Sequence, residues 1–345
     1  MLLVGSIGLA LHLVLPQIPG LERSLRLVAG TSHLLVGAAF LAELASELCY
    51  AELLRRAVGV ISAGGSSPRS RGPRRWFMLR LTVTGYGAAH VLPGSGAAAT
   101  AVAYGALRRQ GYNSESVGLA LAAVAVLVYG ALGMLFSGSL LFMLLNRDLD
   151  PADVVASIFV LALTVSLALG AYVAYRRPTV AKSVAVRSTR YAGRLLGGEG
   201  LQQRAGAWSA QLVSRLGEVL RAARRQLVGR SAGVPRLATL ALGYWIFDAL
   251  CLILMFDALG VTAHPLVLLV AYGVATALAA VPLTPGGIGI FEVTMLATLA
   301  LLGVGSEAAI PILGYRLFNF WLPIPLAAIF YPTLRRTGQD RGPGG

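Results

Sequence analysis

Pro282-Leu283-Thr284-Pro285-Gly286-Gly287-Ile288-Gly289 interrupts an apolar run that extends from 265 to 303. Two prolines and three glycines within eight residues cannot sit inside one continuous helix, because proline removes a donor and clashes with the preceding turn while glycine favours a bend. A second break, His90-Val91-Leu92-Pro93-Gly94-Ser95-Gly96, divides the apolar region 80–107. Its arms, Arg80–Leu92 and Ala97–Leu107, hold 13 and 11 residues, about 20 and 17 Å of helix. A hydrocarbon core is about 30 Å thick, so this region is expected to enter the membrane and return as a re-entrant hairpin. Region 265–303 has 17 and 14 residues on either side of its break. It fits a second re-entrant hairpin or two thin spans, and both alternatives return the chain to the side it came from.

The rest of the chain agrees with a lipid setting. Of 345 residues, 56% are hydrophobic and 13% charged, with a mean hydropathy of +0.72, whereas soluble domains carry about 25% charged residues. Further apolar runs predict helices near 2–15, 27–54, 117–145, 152–175, 237–259 and 306–334. The expected class is an all-α polytopic membrane bundle forming one integral domain over 1–345. Met1–Leu15 lacks a basic n-region and a cleavage signal, so it reads as a first helix rather than a leader. Cys49 and Cys251, far apart in apolar runs, read as packing residues.

The net charge of +14 would suggest nucleic acid in a soluble chain; here it supplies orientation. Twenty-five of the 29 basic residues fall in one alternating set of loops: 55–80, 108–109, 176–236 and 335–341. Cytoplasmic loops retain Lys and Arg, so these loops and both termini are expected to be cytoplasmic. The partners are then membrane lipids, with anionic phospholipid at the basic face, and no nucleic acid. Under this topology the first repeat, about 27–145, and the second, about 237–334, are inverted copies. Each is a helix, a broken segment and a helix, the arrangement of transporters with a site near the midplane. Proline and glycine also make simple kinks in membrane helices, and that alternative stands beside the repeat.

The linker 176–236 carries Leu201, Ala205, Trp208, Leu212, Leu216, Val219, Ala223 and Leu227 at three- and four-residue steps, with Arg204, Arg215, Arg221, Arg224 and Arg225 around them. This pattern suits an amphipathic helix on the inner leaflet, or a solvated connector with helical ends. Ser62–Pro73 reads as a flexible loop.

Helix breaks within a membrane free backbone N–H groups, and each restarting arm presents a positive helix terminus suited to phosphate. The candidate substrate site comprises Pro93, Gly94 and Gly96 at the first break, Pro285, Gly286 and Gly287 at the second, and His90, Tyr315, Arg316 and Glu292 around them. Arg316, inside a span, needs a partner or a watery cavity, and Glu292 is the expected mate. The pair either handles a lipid phosphate or ties two helices together permanently. His90 and Asp248 are open between structural and functional roles, while Glu43 and Glu47 fall in the helix near 27–54, with Glu47 towards its inner boundary. Tyr86, Tyr104, Tyr315 and Trp321 are candidates for lining a lipid path or for anchoring and packing. No metal-ligand spacing, catalytic motif or nucleotide-binding P-loop is present, so no cofactor is expected and transport would be passive or driven by a gradient or partner.

These residues resemble the transmembrane, flippase-like domain of lysylphosphatidylglycerol synthetases, the amino-terminal part of bacterial multiple peptide resistance factors, which also occurs as a stand-alone membrane protein. The likeness rests on Leu92-Pro93-Gly94-Ser95-Gly96 with Leu107-Arg108-Arg109-Gln110-Gly111, on Pro282 through Glu292, and on Tyr315-Arg316-Leu317-Phe318-Asn319-Phe320-Trp321-Leu322-Pro323, and covers most of 27–336. The resemblance implies a lipid flippase that moves an anionic or aminoacylated phospholipid, or a lipid-linked headgroup, between leaflets. The chain departs from full-length synthetases by ending at Gly345, without room for the soluble transferring domain, so no synthetase activity is expected. It also offers Ala97, Ala98, Ala99 and Thr100 where some relatives have a charge. The other readings are a non-transporting scaffold for a separate synthetase or glycosyltransferase, and a membrane-embedded transferase.

Overall fold

The computed structural model describes residues 30–63, 72–92, 96–146, 183, 233–279 and 284–336. The expected helices 2–15 and 152–175, nearly all of the linker 176–236, and Pro93, Gly94 and Pro282 lie outside the described residues. The chain divides into two compact units, Met1–Asp148 with Pro235–Gly345, and Leu149–Val234. Both broken segments belong to the first unit.

Among the described residues the structure is helical, with no strand. The first half has α1 (His33–Ala63), α2 (Arg75–Val91), α3 (Gly96–Arg109) and α4 (Ser114–Asn146). The second has α5 (Gly233–Ala258), α6 (Pro265–Ala279), a 3₁₀ turn at Pro285–Gly287, and α7 (Ile290–Leu301). It closes with a 3₁₀ turn at Ser306–Ala308, α8 (Ala309–Arg316), a π turn at Leu317–Trp321, and α9 (Pro323–Arg336).

Among the described residues, four segments are long and apolar enough to cross a membrane: His33–Ser62, Ser114–Ser139, Pro235–Ala258 and Ser306–Leu334. Less than half of each is buried within the protein, and large apolar side chains such as Leu34, Leu41, Met134, Ile246 and Ile329 are turned outward. In water that surface would be prohibitive; it is the surface a bilayer solvates. The protein is a membrane protein on this ground. The 17, 14, 15 and 12 residues of α2, α3, α6 and α7 correspond to about 26, 21, 23 and 18 Å, all below the thickness of the hydrocarbon.

The short helices are placed by packing. α2 lies beside α3 and α6 beside α7, while α2 packs against α9 and α6 against α4. Thus the first short helix of each half rests on the last long segment of the other half. Gly87 permits the α2–α9 approach, since a Cβ there would collide with Ala327. α1 and α5 run antiparallel: the Ser32 N–H donates to Ala258 O at 3.0 Å, Ser46 Oγ to Tyr244 O at 2.8 Å, and Gly243 meets Cys49.

α1 starts at His33 rather than near 27, and two further boundaries differ from the sequence expectation. α1 continues to Ala63 rather than ending near 54, and α2 begins at Arg75 rather than Arg80. The reason is that charged residues at these ends are held by side-chain contacts instead of needing a loop. Glu52 pairs with Arg55 and Arg56 one turn on, at 2.7 and 2.6 Å, and with Arg75 at 3.7 Å. Arg80 lies over the Trp76 ring, which itself meets Phe330 of α9 edge-on at 6.0 Å. The ends of α1 and α9 and the start of α2 therefore gather together. The last segment also differs from a single straight helix, because the π turn interrupts it.

Candidate functional site

The described part of the second break, 284–289, is a hydrogen-bonded turn. Thr284 Oγ1 donates to Ile288 O at 3.0 Å, and Gly286, Gly287 and Gly289 take φ of 59°, 70° and 80°. A side chain on Gly286 would collide with Phe320 and with the backbone of His90. The turn therefore presses on the end of α2, where the first break begins, and the two broken segments meet. His90 stacks on Phe320 with ring centroids 4.3 Å apart and meets Tyr86 at 5.4 Å.

Glu292 stands in the first turn of α7 and does two things. Its Oε2 accepts the Gly289 N–H at 2.7 Å, satisfying one of the free donors at the helix start. Its Oε1 accepts from Arg316 Nε at 2.5 Å. The amino terminus of α7 thus already holds a carboxylate of the protein itself. Arg316 also approaches Gly286 O at 3.5 Å and is sandwiched between the rings of Phe291 and Phe320, 4.8 and 4.4 Å from its guanidinium carbon. Arg316 is 5% exposed and Glu292 7%, so their charges offset each other away from water. The amino terminus of α3, by contrast, has no acidic residue in its first turn.

A second polar centre surrounds Asp248 on α5. Tyr315 donates to both of its carboxylate oxygens at 3.0 and 3.1 Å, Asn319 Nδ2 donates at 2.9 Å, and Tyr272 donates to Oδ2. Asn319 Nδ2 also reaches Glu43 Oε1 at 3.2 Å, linking α1 to the cluster. The Tyr86 and Tyr244 hydroxyls are hydrogen-bonded to each other, and Tyr50 packs on both rings.

Between these centres lies a cavity of about 280 Å³ with walls from both halves. Tyr50, Tyr86 and His90 come from α1 and α2, Gly96 and Thr100 from α3, and Tyr129 from α4. The other wall carries Asp248, Tyr272, Thr276, Phe291, Tyr315, Arg316 and Asn319. It is aromatic and polar on one side and lined by small residues of α3 on the other, which suits a group with both charged and apolar parts.

Of the sequence candidates, Arg316, Glu292, Gly286, Gly287, His90 and Tyr315 are drawn together around the second break, and Gly96 lies on the cavity wall. Pro285 begins the turn at an exposed position, while Pro93 and Gly94 lie outside the described residues. Tyr104 instead bonds Ser114 at an exposed place and Trp321 meets Phe320 edge-on, neither on the cavity. Asn319 and Tyr272 are not among the sequence candidates, and Asp248 has no central place among them. A signal existed: Tyr315, Arg316 and Asn319 fall on neighbouring faces of one turn, as do Glu43 and Glu47 four residues apart.

No curated protein matches the sequence. The family described as "Lysylphosphatidylglycerol synthase TM region" matches residues 3–327, nearly the whole length and including both breaks and the Arg316 segment. On that match the chain belongs to the lysylphosphatidylglycerol synthase TM region family.

Proposed function

We propose that this membrane protein is a lipid flippase that moves an anionic or aminoacylated phospholipid, or a lipid-linked headgroup, between leaflets. The observation that carries this reading is the cavity at the meeting point of the two breaks, walled by both halves and holding Arg316, Asp248 and a ring of tyrosines. The headgroup phosphate would lie near the amino terminus of α3, whose first turn carries no acidic residue, on the cavity that Arg316 also lines. The Pro93, Gly94 and Gly96 segment would shape that side, and Gly286 and Gly287 the other. Glu292 would release or retain Arg316 as the headgroup arrives.

The antiparallel α1–α5 seam and the reciprocal packing of α2 on α9 and α6 on α4 support an inverted repeat with two re-entrant hairpins. Such an architecture can open the same site to either side. We place the basic face and both termini in the cytoplasm of a bacterial inner membrane, with anionic phospholipid at that face. No aminoacyl transfer is proposed, since the family match is to the membrane region.

The test is movement of fluorescent or aminoacylated phosphatidylglycerol between leaflets of vesicles containing the purified protein. Wild-type protein is expected to accelerate it, and Arg316→Ala and Glu292→Ala to abolish the acceleration. Movement no faster than in protein-free vesicles, across anionic, aminoacylated and polyprenyl lipids, would leave the scaffold for a separate synthetase or glycosyltransferase as the better reading.

A further inference from the structure

Among the described residues, three carboxyl groups lie inside the bundle without a paired cation. Asp248 is 2% exposed, Glu43 4% and Glu47 8%, and among the described residues none of them is in an ion pair. The nearby cation, Arg316, is committed to Glu292. Three uncompensated negative charges in a membrane interior are not sustainable, so the cluster must hold protons.

Its hydrogen bonding shows where. Asp248 receives donors on both oxygens from Tyr272, Tyr315 and Asn319. Glu43 Oε1 receives the Asn319 amide; among the described residues no donor reaches its Oε2, and none reaches either oxygen of Glu47. Asn319 Nδ2 bridges the two acids, 3.2 Å from Glu43 Oε1 and 2.9 Å from Asp248 Oδ1, and two carboxylates held this close without a cation favour a proton on one of them. Around them stand Tyr50 on α1, Tyr244 and Cys251 on α5, Tyr272 on α6 and Tyr315 on α8, with Tyr86 bonded to Tyr244 from α2. Tyrosine hydroxyls and a thiol can relay a proton but cannot neutralise a carboxylate. His90 and Arg316 share the cavity wall with Asp248.

A separate observation points to an occupant. Thr82 Oγ1, on a residue 4% exposed, and Thr276 Oγ1 both lie on the cavity wall with no hydrogen-bond partner. A wall of that kind has unfilled hydrogen-bonding capacity in the cavity that Asp248 also lines, where water or a headgroup oxygen would connect the cluster to the cavity.

We propose that Glu43, Glu47 and Asp248 form an intramembrane proton site whose filling and emptying couples headgroup movement through the adjoining cavity to a proton gradient. The coupling rests on the transport reading above. In the filling step a proton from one aqueous side forms an O–H bond with a carboxylate of the cluster. In the emptying step that bond breaks and the proton leaves to the other side, so nothing but the proton is consumed or released. Asp248, on the cavity wall, is the member that exchanges with the cavity, and Glu43 and Glu47 store the proton behind it.

The experiment uses the full chain in phosphatidylcholine–phosphatidylglycerol vesicles carrying a trace of fluorescent phosphatidylglycerol and an internal pH dye. With one proton per lipid, a gradient of one pH unit should drive a steady leaflet asymmetry approaching about tenfold, with lipid-dependent proton flux. Glu43→Gln, Glu47→Gln and Asp248→Asn should each collapse it. An infrared titration of the unmodified protein reads protonated carboxyl groups directly, so the site is tested even where a variant does not fold. Lipid movement with no asymmetry under the gradient would overturn the coupling and leave transport standing. No lipid movement at all would overturn both, and absence of a protonated-carboxyl band in the wild type would overturn the proton site itself.

Discussion

Arg316 Nε lies 2.5 Å from Glu292 Oε1, while the other oxygen of that carboxylate takes the Gly289 N–H. One acidic side chain thus starts α7 and neutralises a cation contributed by another helix. Removing either partner leaves a buried charge, so Arg316→Ala or Glu292→Ala should each lower stability by about 3–5 kcal/mol. The double replacement Arg316→Met with Glu292→Leu should recover most of that loss in thermal unfolding in detergent, yet remain unable to move lipid. A double variant that recovers both stability and lipid movement would make the pair a structural tie only.

Gly286 and Gly303 offer a controlled comparison. Both have positive φ, 59° and 79°, but a Cβ at Gly286 meets Phe320 and His90 whereas one at Gly303 meets nothing within 4 Å. Gly303→Ala should cost only the backbone penalty, about 1–2 kcal/mol. Gly286→Ala should cost clearly more, read as a larger fall in Tm, and should separate the second break from the end of α2. Equal falls would mean that the two breaks are not packed as described.

The hydroxyls around Asp248 should be separable. Tyr315→Phe and Tyr272→Phe each remove a donor to a buried carboxylate, with an expected cost of about 1.5–3 kcal/mol. A double-mutant cycle between Asn319→Ala and Asp248→Asn should show a coupling of about 0.5–3 kcal/mol, because the two groups are in contact. Strict additivity in unfolding measurements would contradict that contact.

Accessibility checks the cavity. Thr100 and Thr276 line it from opposite halves, so in a Cys49→Ser background Thr100→Cys and Thr276→Cys should both react with small, charged thiol reagents and be slowed by bulky ones. Rapid reaction of both with bulky impermeant reagents would place them in open solvent instead. Cysteines at Gly94 and Gly287 extend the same map to the breaks, and bulk-solvent reactivity there would remove the re-entrant site.

Much of the scaffold is legible from hydropathy because long apolar helices in a membrane have few alternatives. α4 and the last segment, Ser306–Leu334, fall close to their expected limits. The starts and ends of helices near the interface are less legible: Arg75 and Arg80 read as loop charges, yet Trp76, Glu52 and Phe330 hold them in α2. Arg316 and Glu292 are readable because a lone charge in a span demands a mate. The Asp248 centre is not, since its donors come from 24, 67 and 71 residues away, and Glu43 joins through Asn319, 276 residues from it. No local pattern reports which tyrosine hydroxyl will meet which acid.

The π turn at Leu317–Trp321 makes the last segment a shaft with two bearings. Before and within the turn, Tyr315, Arg316 and Asn319 face the cavity; after it, Ile324 and Ala327 seat against Gly87 of α2. Each residue of an α-helix turns the following chain by about 100°, so one residue fewer here would rotate the lower bearing out of its seat while the upper one stayed in place. The widened turn is therefore the gearing that lets one helix serve the cavity and the α2 contact at once.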